Sequence, residues 1–93
     1  MLAAGRDDAL LRFTLGNAYL EDHPSRAAEH LARAVALDPD YSAAWKSYGK
    51  ALAAAGREDE AKHAYRQGIE TTERKGDIQA AKEMRVFLRR LER

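Results

Sequence analysis

The sequence has no cysteine and only two prolines, Pro24 and Pro39. Without thiols there is no disulfide framework, no thiolate metal site and no cysteine nucleophile, and a reducing compartment suits the chain. β-Branched residues are scarce as well: Val35, Val86, Ile69, Ile78 and three threonines. That leaves little material for a sheet. No apolar run approaches the roughly 18 residues of a membrane-spanning helix, and residues 1–8 lack the apolar core of a signal peptide. The expected location is therefore cytoplasmic, with no membrane partner. An excess of one charge is also missing. The formal net charge is +1, so no global field steers the chain toward nucleic acid or acidic lipid.

What is present favours helix. The 93 residues amount to one domain, and 45% hydrophobic against 33% charged residues is the balance of a folding chain, not a disordered one. Alanine is abundant. A helical period recurs in five segments. The first, over about 7–20, carries Leu11, Leu15, Ala18 and Tyr19 on one face. His23-Pro24 breaks it, and Pro24 suits the first turn of the next helix. That helix runs over about 24–37 with Ala27, Leu31, Ala34 and Val35 as its stripe, and Asp38-Pro39-Asp40 ends it. Ser42 reads as the N-cap of a third segment to about residue 55, with Trp45, Tyr48, Gly49 and Leu52 on one side. Gly56 follows where helices stop on a left-handed residue. A fourth segment, about 58–75, carries Ala61, Ala64, Tyr65, Gly68, Ile69 and Thr72; Gly76 ends it and Asp77 caps a fifth, about 77–91, lined by Ala81, Met84, Phe87, Leu88 and Leu91. Short connections make consecutive helices antiparallel.

The first two segments repeat in the next two. Leu15-Gly16-Asn17-Ala18-Tyr19 matches Tyr48-Gly49-Lys50-Ala51-Leu52 at a spacing of 33, while Ala27, Leu31 and Ala34 match Ala61, Tyr65 and Gly68 at 34. The odd residue falls in the turn at Asp22-His23. A glycine inside a helix costs about 1 kcal/mol against alanine. Two at equivalent positions, Gly16 and Gly49, point to a close approach of a neighbouring helix.

Trp45, Tyr48, Gly49, Leu52, Ala61, Tyr65 and Gly68, together with Leu15, Gly16, Tyr19, Ala27, Leu31, Ala34 and Pro39, resemble the tetratricopeptide repeat pattern of a tryptophan, a large residue followed by glycine, a tyrosine, then alternating small and large residues closing on proline. Arg12 stands at the tryptophan position of the first repeat and Glu73 at the terminal proline of the second. The resemblance covers roughly residues 8–91, with repeats at about 8–40 and 41–75. The closing segment, 77–91, resembles the second half of a further repeat lacking its first helix.

This resemblance implies an all-α fold of stacked antiparallel hairpins, two repeats and a capping helix, whose first helices line a concave groove for a peptide or helix of another protein. The positions it assigns to the groove are Phe13, Asn17 and Glu21 in the first repeat and Lys46, Lys50 and Ala53 in the second. Asn17 matches one asparagine of the carboxylate-holding clamp found in some members. Phe13 replaces a lysine of that clamp and Ser47 an asparagine, so the set is incomplete. Lys46 and Lys50, four apart on one face, still suit an acidic partner.

Other chemistry finds little support. Lys82, Arg85, Arg89 and Arg93 form a basic stripe on the last segment, on the side opposite Met84 and Leu88. It reads as the wet face of a capping helix, with Glu70 or Glu73 as counter-charge, in preference to a nucleic-acid surface. His23, His30 and His63 lack metal-ligand spacing. The glycines are isolated, with no phosphate loop, and the serines lack a nucleophile elbow. The chain is expected to be a non-enzymatic interaction scaffold without cofactor or metal. The alternatives are a self-assembling unit, because Leu10, Leu11 and Phe13 have no preceding helix to cover them and a homodimer would, and a weak binder of nucleic acid through the basic stripe.

Overall fold

The computed structural model describes residues 7–93. Among these residues there are five helices and no strand: α1 (Ala9–Tyr19), α2 (Pro24–Leu37), α3 (Ser42–Ala54), α4 (Glu58–Lys75) and α5 (Ile78–Leu91). Local chemistry explains most of the boundaries. The Asp8 carboxylate accepts from the Leu11 N–H at 2.8 Å and caps α1. Pro24 occupies the first turn of α2, where no N–H is needed. Gly56 and Gly76 both sit at φ +80°, a left-handed conformation open to glycine at little cost. Asp77 then caps α5, accepting from the Ala80 N–H at 3.3 Å. At α3 the expectation is corrected. The cap residue is Tyr41, which makes no side-chain cap bond, and Ser42 is already the first helical residue.

Turns of two to four residues join the helices, so neighbours run antiparallel. α1 packs on α2, α2 on α3, α3 on α4 and α4 on α5, while α3 also touches α1 and α5. The Cα atoms span 43 × 29 × 16 Å. With a helix about 10 Å across, the thin dimension holds two layers: α1, α3 and α5 in one, α2 and α4 in the other. This corrects the reading of the last segment. α5 stands beside α3 as α3 stands beside α1, in the place of a first helix of a third pair, not a second.

Small residues let the layers nest. A Cβ built on Gly16 would lie 2.4 Å from Leu31 Cγ, and one on Gly49 2.4 Å from the Tyr65 ring. A Cβ on Gly68 would lie 2.5 Å from Met84 Sδ and 2.8 Å from Trp45 Cβ. Ala27 and Ala61, the small residues of the second helices, are fully buried. The core is continuous through Ala27, Ala28, Leu31, Ala51, Leu52, Ala61 and Ala64, with Trp45 and Tyr48 packed against it. Trp45 also ties α3 to the preceding turn, its Nε1–H donating to Pro39 O at 2.7 Å. Burial of Tyr65 pushes its phenol up to about 12.

One stripe differs from expectation. Ala18 is exposed and Thr14 with it, whereas their repeat equivalents Ala51 and Ser47 are buried. α2 covers that flank of α3; no helix among the described residues covers it on α1.

Candidate functional site

The layer of α1, α3 and α5 is the face to which the groove residues were assigned. On α1, Phe13 is half-buried and leans on Tyr41, with ring centroids 4.9 Å apart. It wedges against the turn into α3. Asn17 and Glu21 are exposed. On α3, Lys46 is half-buried, Lys50 exposed and Ala53 half-buried. Both lysines face α5. Lys46 Nζ donates to Glu83 Oε1 at 2.8 Å, and Lys50 Nζ lies 5.4 Å from the centroid of Phe87. The Lys46 ammonium, with help from Gln79 and Lys50, holds the Glu83 carboxyl below the usual carboxylate range.

Between α3 and α5 lies a cleft of about 360 Å³ lined by Lys46, Glu83, Val86, Phe87 and Arg90. Arg90 Cζ sits 5.6 Å from the Phe87 centroid, and Phe87 stacks on the buried Tyr65 at 5.8 Å. Sequence reasoning missed this half of the site. Glu83, Val86, Phe87 and Arg90 follow the three-and-four spacing of one helix face, but spacing alone does not say which layer that face joins.

The basic stripe lies elsewhere. Arg85 and Arg89 line a cleft of about 490 Å³ between α4 and α5 together with Arg66, Ile69, Glu70, Glu73, Leu88 and Glu92. They therefore flank Leu88 instead of opposing it. Arg85 is ion-paired with Glu73, Arg66 with Glu92 at 2.7 Å, and Arg74 approaches Glu70 at 3.9 Å. Alternating signs leave little net field there. Lys82 and Arg93 are exposed.

A second polar cluster closes the first repeat. Where the second repeat has Trp45, Arg12 bridges Asp7 at 2.7 Å and His30 Nδ1 at 3.1 Å. Arg33 also reaches Asp7 at 2.7 Å. Hydrogen bonds from Arg12 and Arg33 hold the Asp7 carboxyl below its ordinary range. His30 stacks on Tyr19 at 5.6 Å. These are structural ties between α1 and α2. Among the described residues no group of His, Cys, Asp and Glu has the arrangement of a metal site, and no helix is long and apolar enough to cross a membrane.

Comparison with known proteins agrees with this geometry. The family profile of the tetratricopeptide repeat matches residues 18–84. A TPR repeat-containing protein of Pseudomonas aeruginosa is 56% identical over 94 aligned positions, covering 100% of this chain and 90% of that protein. A protein of Bordetella parapertussis, solved in solution, superposes with a TM-score of 0.84 at 46% identity, covering 99% of this chain and 81% of that one. The tetratricopeptide repeat domain protein of Salinibacter ruber, solved by NMR, gives 0.83 at 30% identity over 92% of this chain and 88% of that one. Nested glycines, paired antiparallel helices and these relatives agree: the chain belongs to the tetratricopeptide repeat family.

Proposed function

We propose that the chain is a protein-interaction scaffold that takes a peptide or helix of another protein on the face formed by α1, α3 and α5. Tetratricopeptide repeats are generally protein–protein interaction modules, and their members are typically non-enzymatic. The observation that carries the reading is the α3–α5 cleft. It sits on the first-helix layer, with an apolar floor at Val86 and Phe87 and charged rims at Lys46, Glu83 and Arg90. A mixed surface of that kind suits a polypeptide with both side-chain types. Asn17, Glu21 and Lys50 extend it across the same layer as exposed polar contacts. The test is amide chemical-shift mapping with partner segments obtained by display selection. The expected result is shifts on α1, α3 and α5; shifts confined to α2 and α4 overturn it.

Self-association is a second reading, supported by the uncovered flank of α1. Leu10 is 64% exposed, and Thr14 and Ala18 lie open where the second repeat buries Ser47 and Ala51. A second copy laid along α1 would cover them. Sedimentation over a dilution series checks this, and a monomer at the highest concentration removes it.

A further inference from the structure

We infer that the α3–α5 cleft selects a partner segment presenting an apolar side chain next to a carboxylate. This specificity rests on the protein-binding reading above and narrows it. Three features of the cleft carry it.

The first is an apolar floor left open. Val86 is 44% exposed, a β-branched side chain on the water side of its helix, and the half-buried Phe87 adjoins it. The second is a surplus of cations: Lys46, Lys50 and Arg90 gather around one carboxylate, Glu83, which Lys46 bonds and Lys50 only approaches. Lys50 and Arg90 stand 5.4 and 5.6 Å from the Phe87 ring centroid, and neither forms a salt bridge with a carboxylate among the described residues. A ring face offsets only a small part of an exposed cation's charge. The third is that the acid lining the cleft is already engaged: Glu83 bonds Lys46 at 2.8 Å. The cleft thus presents an excess of positive charge beside uncovered apolar surface. A carboxylate entering it meets Lys50 and Arg90, while the neighbouring apolar side chain covers Val86 and displaces water, which strengthens the charge pairing.

Nucleic acid fits less well. Its phosphates would satisfy the cations, but its bases need an open aromatic face. Phe87 is already stacked on Tyr65 and overlaid by Lys50 and Arg90.

The experiment titrates the intact chain with four short blocked peptides that differ only at two adjacent positions: Leu-Glu, Leu-Gln, Ser-Glu and Ser-Gln. Leu-Glu is expected to bind best, with a loss of about tenfold on changing either residue. The double variant Lys50→Gln, Arg90→Gln should abolish the preference for Glu over Gln, and Val86→Ser the preference for Leu over Ser. All three substituted positions are exposed, and an unchanged amide spectrum certifies the fold of each variant. Equal binding of Leu-Glu and Leu-Gln, indifference to the double variant, failure of all four peptides, or displacement of Leu-Glu by an RNA homopolymer at the same concentration and salt each overturns the selectivity. If a selected segment lacking the apolar–acidic pair still shifts α1, α3 and α5, the selectivity falls while the protein-binding reading stands. If no protein segment shifts them, the reading itself falls, and the selectivity with it.

Discussion

Gly49 shows how one missing methyl group organises its surroundings. Its Cα lies so close to the Tyr65 ring that a Cβ would sit 2.4 Å from a ring carbon, and Tyr65 is 2% exposed, with no room to withdraw. Alanine gains about 1 kcal/mol of intrinsic helix propensity over glycine, but overpacking a filled core costs about 1–3 kcal/mol, and a contact this short belongs at the upper end. Gly49→Ala is therefore expected to lower stability by about 2 kcal/mol net in urea unfolding. Gly56→Ala fails for a different reason. Nothing lies within 4 Å of its Cβ position, but φ is +80°, so the loss is about 1 kcal/mol and comes from the backbone alone. Equal costs for the two, or a gain at Gly49, would contradict this account. Both glycines could be read from the sequence, because one interrupts a helical stripe and the other ends one. Arg12 could not. Its position is that of Trp45 in the repeat, yet its partners, Asp7 and His30, lie on either side of it in the chain and are brought together only by the fold.

At the scale of the helix, capping separates what the sequence suggests from what the backbone uses. Asp77 bonds the Ala80 N–H, whereas Ser42, an equally good cap by composition, is taken into α3 behind Tyr41 and makes no cap bond. Asp77→Ala is expected to cost about 1 kcal/mol, and Ser42→Ala less than about 0.5 kcal/mol. Thermal or urea melts of the two variants side by side check the ordering; a larger loss at Ser42 would reverse it. The helices themselves were legible because Pro24, Gly56 and Gly76 punctuate a strong three-and-four period. The role of α5 was not. Its stripe of Ala81, Met84, Phe87 and Leu88 says that one side is buried, and a burial pattern does not state which neighbours bury it.

For the whole molecule, α5 completes a stack that two repeats leave open. Met84 fills the hollow over Gly68 and Phe87 covers Tyr65. Repeat proteins need about three units for independent stability, because each buries its face only against the next. Deleting residues 77–93 should therefore abolish cooperative thermal unfolding followed by circular dichroism; a sharp transition in the shortened chain would show that two repeats suffice. The pH profile should be bounded on both sides. Asp7, Glu60 and Glu83 are held below their ordinary values by Arg12 and Arg33, by Arg57 and by Lys46. Their contribution is complete above the ordinary carboxylate range and is lost as pH falls through the depressed folded values. Tyr65 is pushed up to about 12, so its contribution is complete below about pH 10 and is lost as pH rises from there through about 12. Melting temperature against pH should fall at both ends, and Glu83→Gln should flatten part of the acid limb.

The sequence by itself determined the helices, most of their ends and the nested repeat, since period, proline, glycine and the recurrence of small residues are local or evenly spaced signals. Tertiary structure alone decided which helix α5 became and what its outer residues met. Lys46 with Glu83 and Lys50 with Phe87 join residues far apart in the chain, and their pairing depends on the side from which one helix approaches another. That choice is made by volume and charge across the whole stack, which no single segment encodes.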